Sequence, residues 1–206
     1  MKVVPTTDRG RATVGRILEA ACDLFNAQGI RSTSLDEIGA AAGVGRGQLY
    51  HFFVDKSDLV AEVVTFQVER VIAAVQPTMA AMSTADDVRA WSEAVVDAYA
   101  ASSGPVRCPL GSLINQLGDD NQAARRALQA GFASWEHLLE AGLRSVAGTG
   151  GLRAGVDAGT LAVALLAAYQ GGVLLAAVAG DLAPLRTALR GVTDMALADS
   201  KARISR

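Results

Sequence analysis

Four side chains within a short stretch could read or grip a nucleic-acid duplex: Arg46, Gln48, Tyr50 and Lys56. A guanidinium pairs in a fork with the O6 and N7 edge of guanine, and a carboxamide pairs with the N6 and N7 edge of adenine, so Arg46 and Gln48 are candidate base readers. Tyr50 and Lys56 carry donors suited to phosphate oxygens on one side. Ser32, Thr33 and the backbone amides that follow Ser34 offer the same on the other. Gly47 and His51 share the polar ridge. For such a ridge to enter a major groove it must occupy one side of a helix whose other side is buried, and Leu49, Phe52 and Phe53 supply that apolar side at helical spacing.

Other chemistries have little to work with. The chain has two His and two Cys in 206 residues. It contains no HExxH, GxSxG, P-loop or GxGxxG pattern, so hydrolysis, phosphoryl transfer and hydride transfer lack their groups, and neither a metal nor a cofactor is expected. Cys22 and Cys108 cannot build a disulfide framework, which fits a reducing cytoplasm. Lys and Arg number 19 against 21 Asp and Glu, and half of the chain is hydrophobic, enough for an ordinary soluble core. Up to residue 56 there are seven Lys and Arg against six acidic residues; beyond it, twelve against fifteen. With no broad basic footprint, binding to a polyanion must rest on local placement.

The elements that must position the ridge follow from periodicity and punctuation. Val14, Ile17, Leu18, Ala21, Leu24 and Phe25 form a helical stripe over 13–28, closed by Gly29. Ser34 and Glu37 have capping-box spacing and open a short helix that turns Leu35, Ile38 and Ala42 inward. Gly43-Val44-Gly45 makes a tight turn, and a third helix covers 46–53. Asp55 or Ser57 caps a fourth that reaches Pro77. Further helical patterns span 86–101, 109–117, 122–146, 158–180 and 184–199. The sum is about nine helices with no convincing strand: an all-α chain in which residues 1–56 form a helix-turn-helix DNA-binding domain with an N-terminal arm, and residues 57–206 a second helical domain. Met1 to Gly10 reads as a disordered arm, either an auxiliary phosphate or minor-groove contact or a solvated tail.

The run from Thr33 to Leu59, TSLDEIGAAAGVGRGQLYHFFVDKSDL, resembles the signature of the TetR family of bacterial transcriptional regulators, and Ile17 to Phe25 followed by Gly29 is similar to that family's first helix. The resemblance implies a homodimer in which residues 57–206 form the effector-binding and dimerisation domain, a palindromic double-stranded operator, and a small-molecule effector that releases it. In that reading Tyr50 and Lys56 match phosphate-contacting positions, while Arg46, Gly47 and Gln48 match base-reading ones. Gly45 departs from the family pattern, which often has Ser or another capping residue there. The loss is about 1 kcal/mol or less, because Gly is a tolerable N-cap. A helical interaction module of the same fold that no longer binds DNA is the alternative.

Beyond residue 57, Trp91, Tyr99, Phe132, Trp135 and Tyr169 hold half of the ten aromatic side chains. In an Ala- and Gly-rich scaffold, a few large rings either fill the core or frame an apolar ligand cavity. With Phe66, Cys108 and Gln116 they are the candidate effector-binding residues. Cys108, beside Arg107 at the start of a short helical pattern, is either a reactive thiol or a small buried apolar residue. No charge falls between Asp157 and Asp181. That length could span a bilayer, but both flanks are Asp and polar or glycine residues interrupt the middle. The expectation is a buried helix that, with the last one, joins two subunits, and no membrane partner.

Overall fold

The computed structural model describes residues 1–118 and 121–198. Asp119 and Asp120, which were expected to end the short helix, and Asp199, the expected end of the last one, lie outside the described residues. Within them the chain forms nine α-helices: α1 (Asp8–Gln28), α2 (Leu35–Ala42), α3 (Arg46–Phe52), α4 (Lys56–Ala81), α5 (Ala85–Ala101), α6 (Gly111–Ile114), α7 (Gln122–Gly148), α8 (Ala158–Ala179) and α9 (Ala183–Ala196). Among the described residues no strand occurs, and one isolated antiparallel bridge joins Leu152 to Leu197. The all-α expectation holds.

The chain divides into two compact units, one built from Met1–Val71 and Pro109–Gly131, the other from Ile72–Cys108 and the described residues from Phe132 onward. In the first, α1 packs on α2 and α2 on α3. Ile17, Ala21, Phe25, Ile38, Phe53 and Leu59 of this unit are sealed from solvent. The tight turn is built as its residues require. Gly43 ends α2 in the left-handed region at φ 65°, and Gly45 opens α3 without a side-chain cap. A Cβ on Gly39 would meet the Val44 carbonyl oxygen at 3.2 Å, so the turn folds back close over α2.

Three local expectations need correction. α1 begins at Asp8, five residues earlier than the apolar stripe suggested, because the Thr7 hydroxyl accepts the Gly10 amide and caps it. Residues ahead of α1 are docked and not disordered: the Lys2 amide donates to the Phe52 carbonyl oxygen at 2.8 Å. α4 runs through Pro77 to Ala81. Ala73, whose carbonyl loses its helical donor there, and Pro77 are both exposed, so water can take the freed acceptor.

The second unit packs α8 against α9 and α9 against α5. A Cβ on Gly172 would sit 2.8 Å from the Leu185 Cα, so the close approach this glycine permits is to the chain's own α9. Gly180 lies past the helix as its left-handed C-cap at φ 73°. Gly172 thus serves an intrachain approach. α8 is the one helix among the described residues long and apolar enough to cross a membrane, with mean hydropathy 2.0. Its outward side leaves Val163, Leu174, Leu175 and Val178 exposed, and α9 leaves Met195 exposed.

Candidate functional site

α3 presents two faces of opposite character. Leu49 and Phe52 are buried, while Arg46, Gly47, Gln48, Tyr50 and His51 are exposed. The helix is short because the chain leaves it extended at Phe53, whose amide closes the last turn on the Leu49 carbonyl. Asp55 then caps α4: its Oδ1 accepts the Asp58 amide at 2.8 Å. Lys56, half-buried at the start of α4, donates from Nζ to the Arg31 carbonyl oxygen at 3.2 Å. Lys56 therefore sits against the turn that carries Ser32 and Thr33, and not on the opposite side from them as expected.

The capping box is fully made. Ser34 Oγ accepts the Glu37 amide at 3.2 Å, and Glu37 Oε2 accepts both the Ser34 amide and the Ser34 hydroxyl at 2.7 Å. The Ser34 hydroxyl first, then the Ser34 amide and the Gln28 carboxamide, hold the Glu37 carboxyl below its ordinary range. The Thr33 side chain is buried, donating to the Gly29 carbonyl oxygen at 2.8 Å and accepting from Gln28 Nε2 at 3.3 Å. Thr33 as a whole is 1% exposed, so the expected phosphate contact from it is not available, whereas Ser32 is exposed.

Asp36, in the first turn of α2, is joined to the ridge. Its two oxygens accept from Arg46 Nε at 3.0 Å and from a terminal nitrogen of the same guanidinium at 2.6 Å. These bonds, and the Asp36 charge, raise the Arg46 pKa still further. The pair spans ten residues and depends on how α2 and α3 cross, which no local spacing encodes.

The candidate effector residues do not all fall together. Phe66 lies on the part of α4 that belongs to the first unit, half-buried with the Arg70 guanidinium carbon 5.5 Å from its ring centre. Gln116 belongs to the first unit as well, where its Oε1 accepts the Ile30 amide at 3.0 Å and its Nε2 donates to the Ser112 carbonyl oxygen at 3.1 Å. That bond ties the segment after α6 to the turn after α1, a role that sequence spacing gives no sign of.

The other six belong to the second unit, and five of them connect. Trp135 lies between rings of α7 and α8, its centre 6.5 Å from Phe132 in a nearly parallel arrangement and 5.2 Å from Tyr169. The Tyr99 and Tyr169 hydroxyl oxygens are 2.8 Å apart, and Tyr99 donates to the Arg107 carbonyl oxygen at 3.1 Å, so Tyr169 supplies the proton between the two. Cys108 accepts from Gln170 Nε2 at 3.2 Å. Burial pushes both tyrosine hydroxyls above their ordinary range, so they are neutral donors at any physiological pH. Cys108 is buried and stands three residues ahead of α6, outside its first turn, so the helix-terminus argument for a thiolate loses its footing. Trp91 is buried on α5.

Residues 17–63 match a family model described as bacterial regulatory proteins, tetR family, and residues 84–192 match one described as a tetracyclin repressor-like C-terminal domain. The HTH-type transcriptional regulator AcrR of Shigella flexneri is 50% identical over 58 residues, which cover 28% of this chain and 27% of that protein. The match to the HTH-type transcriptional regulator LmrA of Bacillus subtilis (strain 168) is longer, 28% identical over 172 residues, 82% of this chain and 89% of that one. Among solved structures, a SmeT–triclosan complex superposes with a TM-score of 0.71 at 27% identity, covering 92% of this chain and 93% of that chain.

Proposed function

The chain belongs to the tetR family of bacterial regulatory proteins, and on that footing we propose that this DNA-binding transcriptional regulator is a cytoplasmic homodimeric repressor released from its operator by a small, mainly apolar effector. The observation that carries the DNA half is the two-faced α3, with Leu49 and Phe52 inward and Arg46, Gly47, Gln48, Tyr50 and His51 outward. In this reading Arg46 and Gln48 read base edges, Gly47 lets the backbone approach, and Tyr50, His51, Lys56 and Ser32, with the amides that open α2, hold phosphates.

The dimer joins the last two helices of each copy. Leu174, Leu175 and Val178 on α8 are 65%, 56% and 81% exposed, and Met195 on α9 is 70% exposed. So apolar a face on a soluble regulator calls for cover, and a two-fold axis covers it with the same face of a second copy. Two α3 helices related by that axis suit successive major grooves about 34–36 Å apart, hence an inverted-repeat operator.

The effector half is supported by the aromatic cluster of Tyr99, Phe132, Trp135 and Tyr169 with Cys108, together with the triclosan complex of SmeT. Trp91 lines the same unit. Phe66 and Gln116 transmit the signal in this reading. α4 passes from one unit to the other as a single helix, and the chain runs directly from Cys108 into the segment that holds Ile30 through Gln116. An effector releases DNA only if it binds the operator-competent arrangement less tightly than the alternative.

Titrating the purified chain against a fluorescent random-sequence duplex at several KCl concentrations tests the reading. A steep fall of affinity with salt is the expected result. Absence of binding even at low salt would instead identify a helical module of this fold that has lost its DNA function.

A further inference from the structure

The second unit holds one polar atom with nothing to do. Trp135 is 4% exposed, and its indole Nε1 is the one buried side-chain nitrogen or oxygen among the described residues without a hydrogen-bond partner. Buried indole N–H groups nearly always find an acceptor, since leaving one unpaired forfeits the bond it had with water. Volume alone would be filled as well by a phenyl ring, so a donor kept at a buried position needs a reason.

The neighbours do not supply the acceptor. Tyr169 donates to Tyr99, Tyr99 donates to the Arg107 carbonyl, and the Gln170 amide donates to the Cys108 sulfur. None of these hydrogen bonds reaches the indole N–H, which is left without an acceptor. Trp135, Phe132, Tyr169, Tyr99, Gln170 and Cys108 carry no formal charge. A carboxylate or ammonium brought among them would lose its hydration without a counter-ion, whereas a neutral oxygen loses little and gains the indole bond. The nearly parallel Phe132 and Trp135 rings, 8° apart in orientation, favour a flat partner beside them.

We propose that the effector is an uncharged, flat aromatic molecule bearing a carbonyl-type oxygen, and that the Trp135 indole N–H is the group that recognises this oxygen. The proposal rests on the effector reading above and narrows it. Recognition is then by a single neutral donor set in an aromatic wall, with the ring system supplying most of the affinity and the oxygen supplying the choice among similar molecules.

Two matched probe pairs test it: acetophenone with ethylbenzene, and 2-acetylnaphthalene with 2-ethylnaphthalene. Each pair keeps its shape and differs in the carbonyl oxygen. The chain has two tryptophans, so a spectrum of the 15N-labelled protein carries two indole N–H signals, and Trp135→Phe assigns them. The expected result is that the ketone of at least one pair binds about tenfold tighter than its hydrocarbon, moves the Trp135 indole signal downfield, and loses its advantage in Trp135→Phe while the hydrocarbon still binds. Ketone and hydrocarbon binding equally tightly, both shifting the ring signals of Trp135, would overturn the acceptor proposal and leave the effector site standing. A ketone preference that survives Trp135→Phe, or a Trp135 indole signal that stays fixed while the ketone binds, would likewise overturn it. No binding by any probe would overturn the proposal together with the siting of the effector in this cluster. The signal in the unsubstituted chain decides the matter even if the variant folds poorly.

Discussion

The guanidinium of Arg46 and the carboxylate of Asp36 meet through two hydrogen bonds, 3.0 and 2.6 Å long, that tie the first turn of α3 to the first turn of α2. The side chain best suited to read guanine is therefore engaged before any DNA arrives. Both partners are well exposed, at 69% and 64%, so water and salt screen the pair and it yields readily to a stronger acceptor. If Arg46 reads a base as proposed, Asp36 acts as a filter: a guanine edge must outcompete it, and a poor sequence does not.

Asp36→Asn tests that filter. The amide keeps one hydrogen-bond acceptor and removes the charge. Affinity for random duplex should rise about twofold to fivefold, and the ratio of operator to random affinity should fall, as read by fluorescence anisotropy at fixed salt. Unchanged affinity on both duplexes would show that Arg46 does not have to leave Asp36 to bind.

Lys56 and Arg46 should fail differently. Lys56→Ala removes the proposed phosphate contact, so binding should weaken alike on every sequence and the slope of log affinity against log salt should fall by about one. Arg46→Ala should cost roughly tenfold on the preferred operator and little on a random duplex, since a lost base contact matters only where the right base is present.

Two glycines separate stability from recognition. Around Gly47 nothing lies within 4 Å of an added Cβ, so Gly47→Ala should raise stability by roughly 0.5–1 kcal/mol through helix propensity while lowering operator affinity, because the methyl stands on the face proposed to meet DNA. Gly39→Ala places a methyl 3.2 Å from the Val44 carbonyl oxygen. It should lower both the melting temperature and operator affinity, which thermal unfolding monitored by circular dichroism, beside the anisotropy titration, will resolve.

Much of this head was legible in the sequence because it is locally encoded. Ser34 and Glu37 announce their capping box by a spacing of three, and Gly43 announces a left-handed turn by having no side chain. The Arg46–Asp36 pair was hidden because two separately correct helices say nothing of their crossing. Thr33 reads as a surface hydroxyl until the turn at Gly29 folds over it. Gln116, grouped by type with effector-binding residues, holds Ile30 across 86 positions. In α8 the composition spoke of close packing, yet only the fold tells that Gly172 faces Leu185 of its own chain.

The caps also set a pH dependence. Hydrogen bonds from Ser34 hold Glu37 below its ordinary value of 4.5, and the amide of Ser83, then the hydroxyl and amide of Thr84, hold Asp87 below 3.8. A carboxyl depressed in the folded state contributes fully above its unfolded value and loses that contribution as pH falls through the folded one. The melting temperature should therefore be level between about pH 5 and 7 and fall below about pH 4. Glu37→Gln combined with Asp87→Asn should melt lower at neutral pH and show a shallower acid drop. An unchanged drop would assign acid sensitivity to other groups.

The most direct test of the account is to sequence the duplexes that the purified chain retains from a random DNA pool. The account predicts an inverted repeat whose half-sites lie about one helical turn, 10–10.5 base pairs, or a whole multiple of it apart, and that Arg46→Ala blurs the same position in both halves. Retained duplexes with no shared sequence, or a single unrepeated half-site, would contradict it.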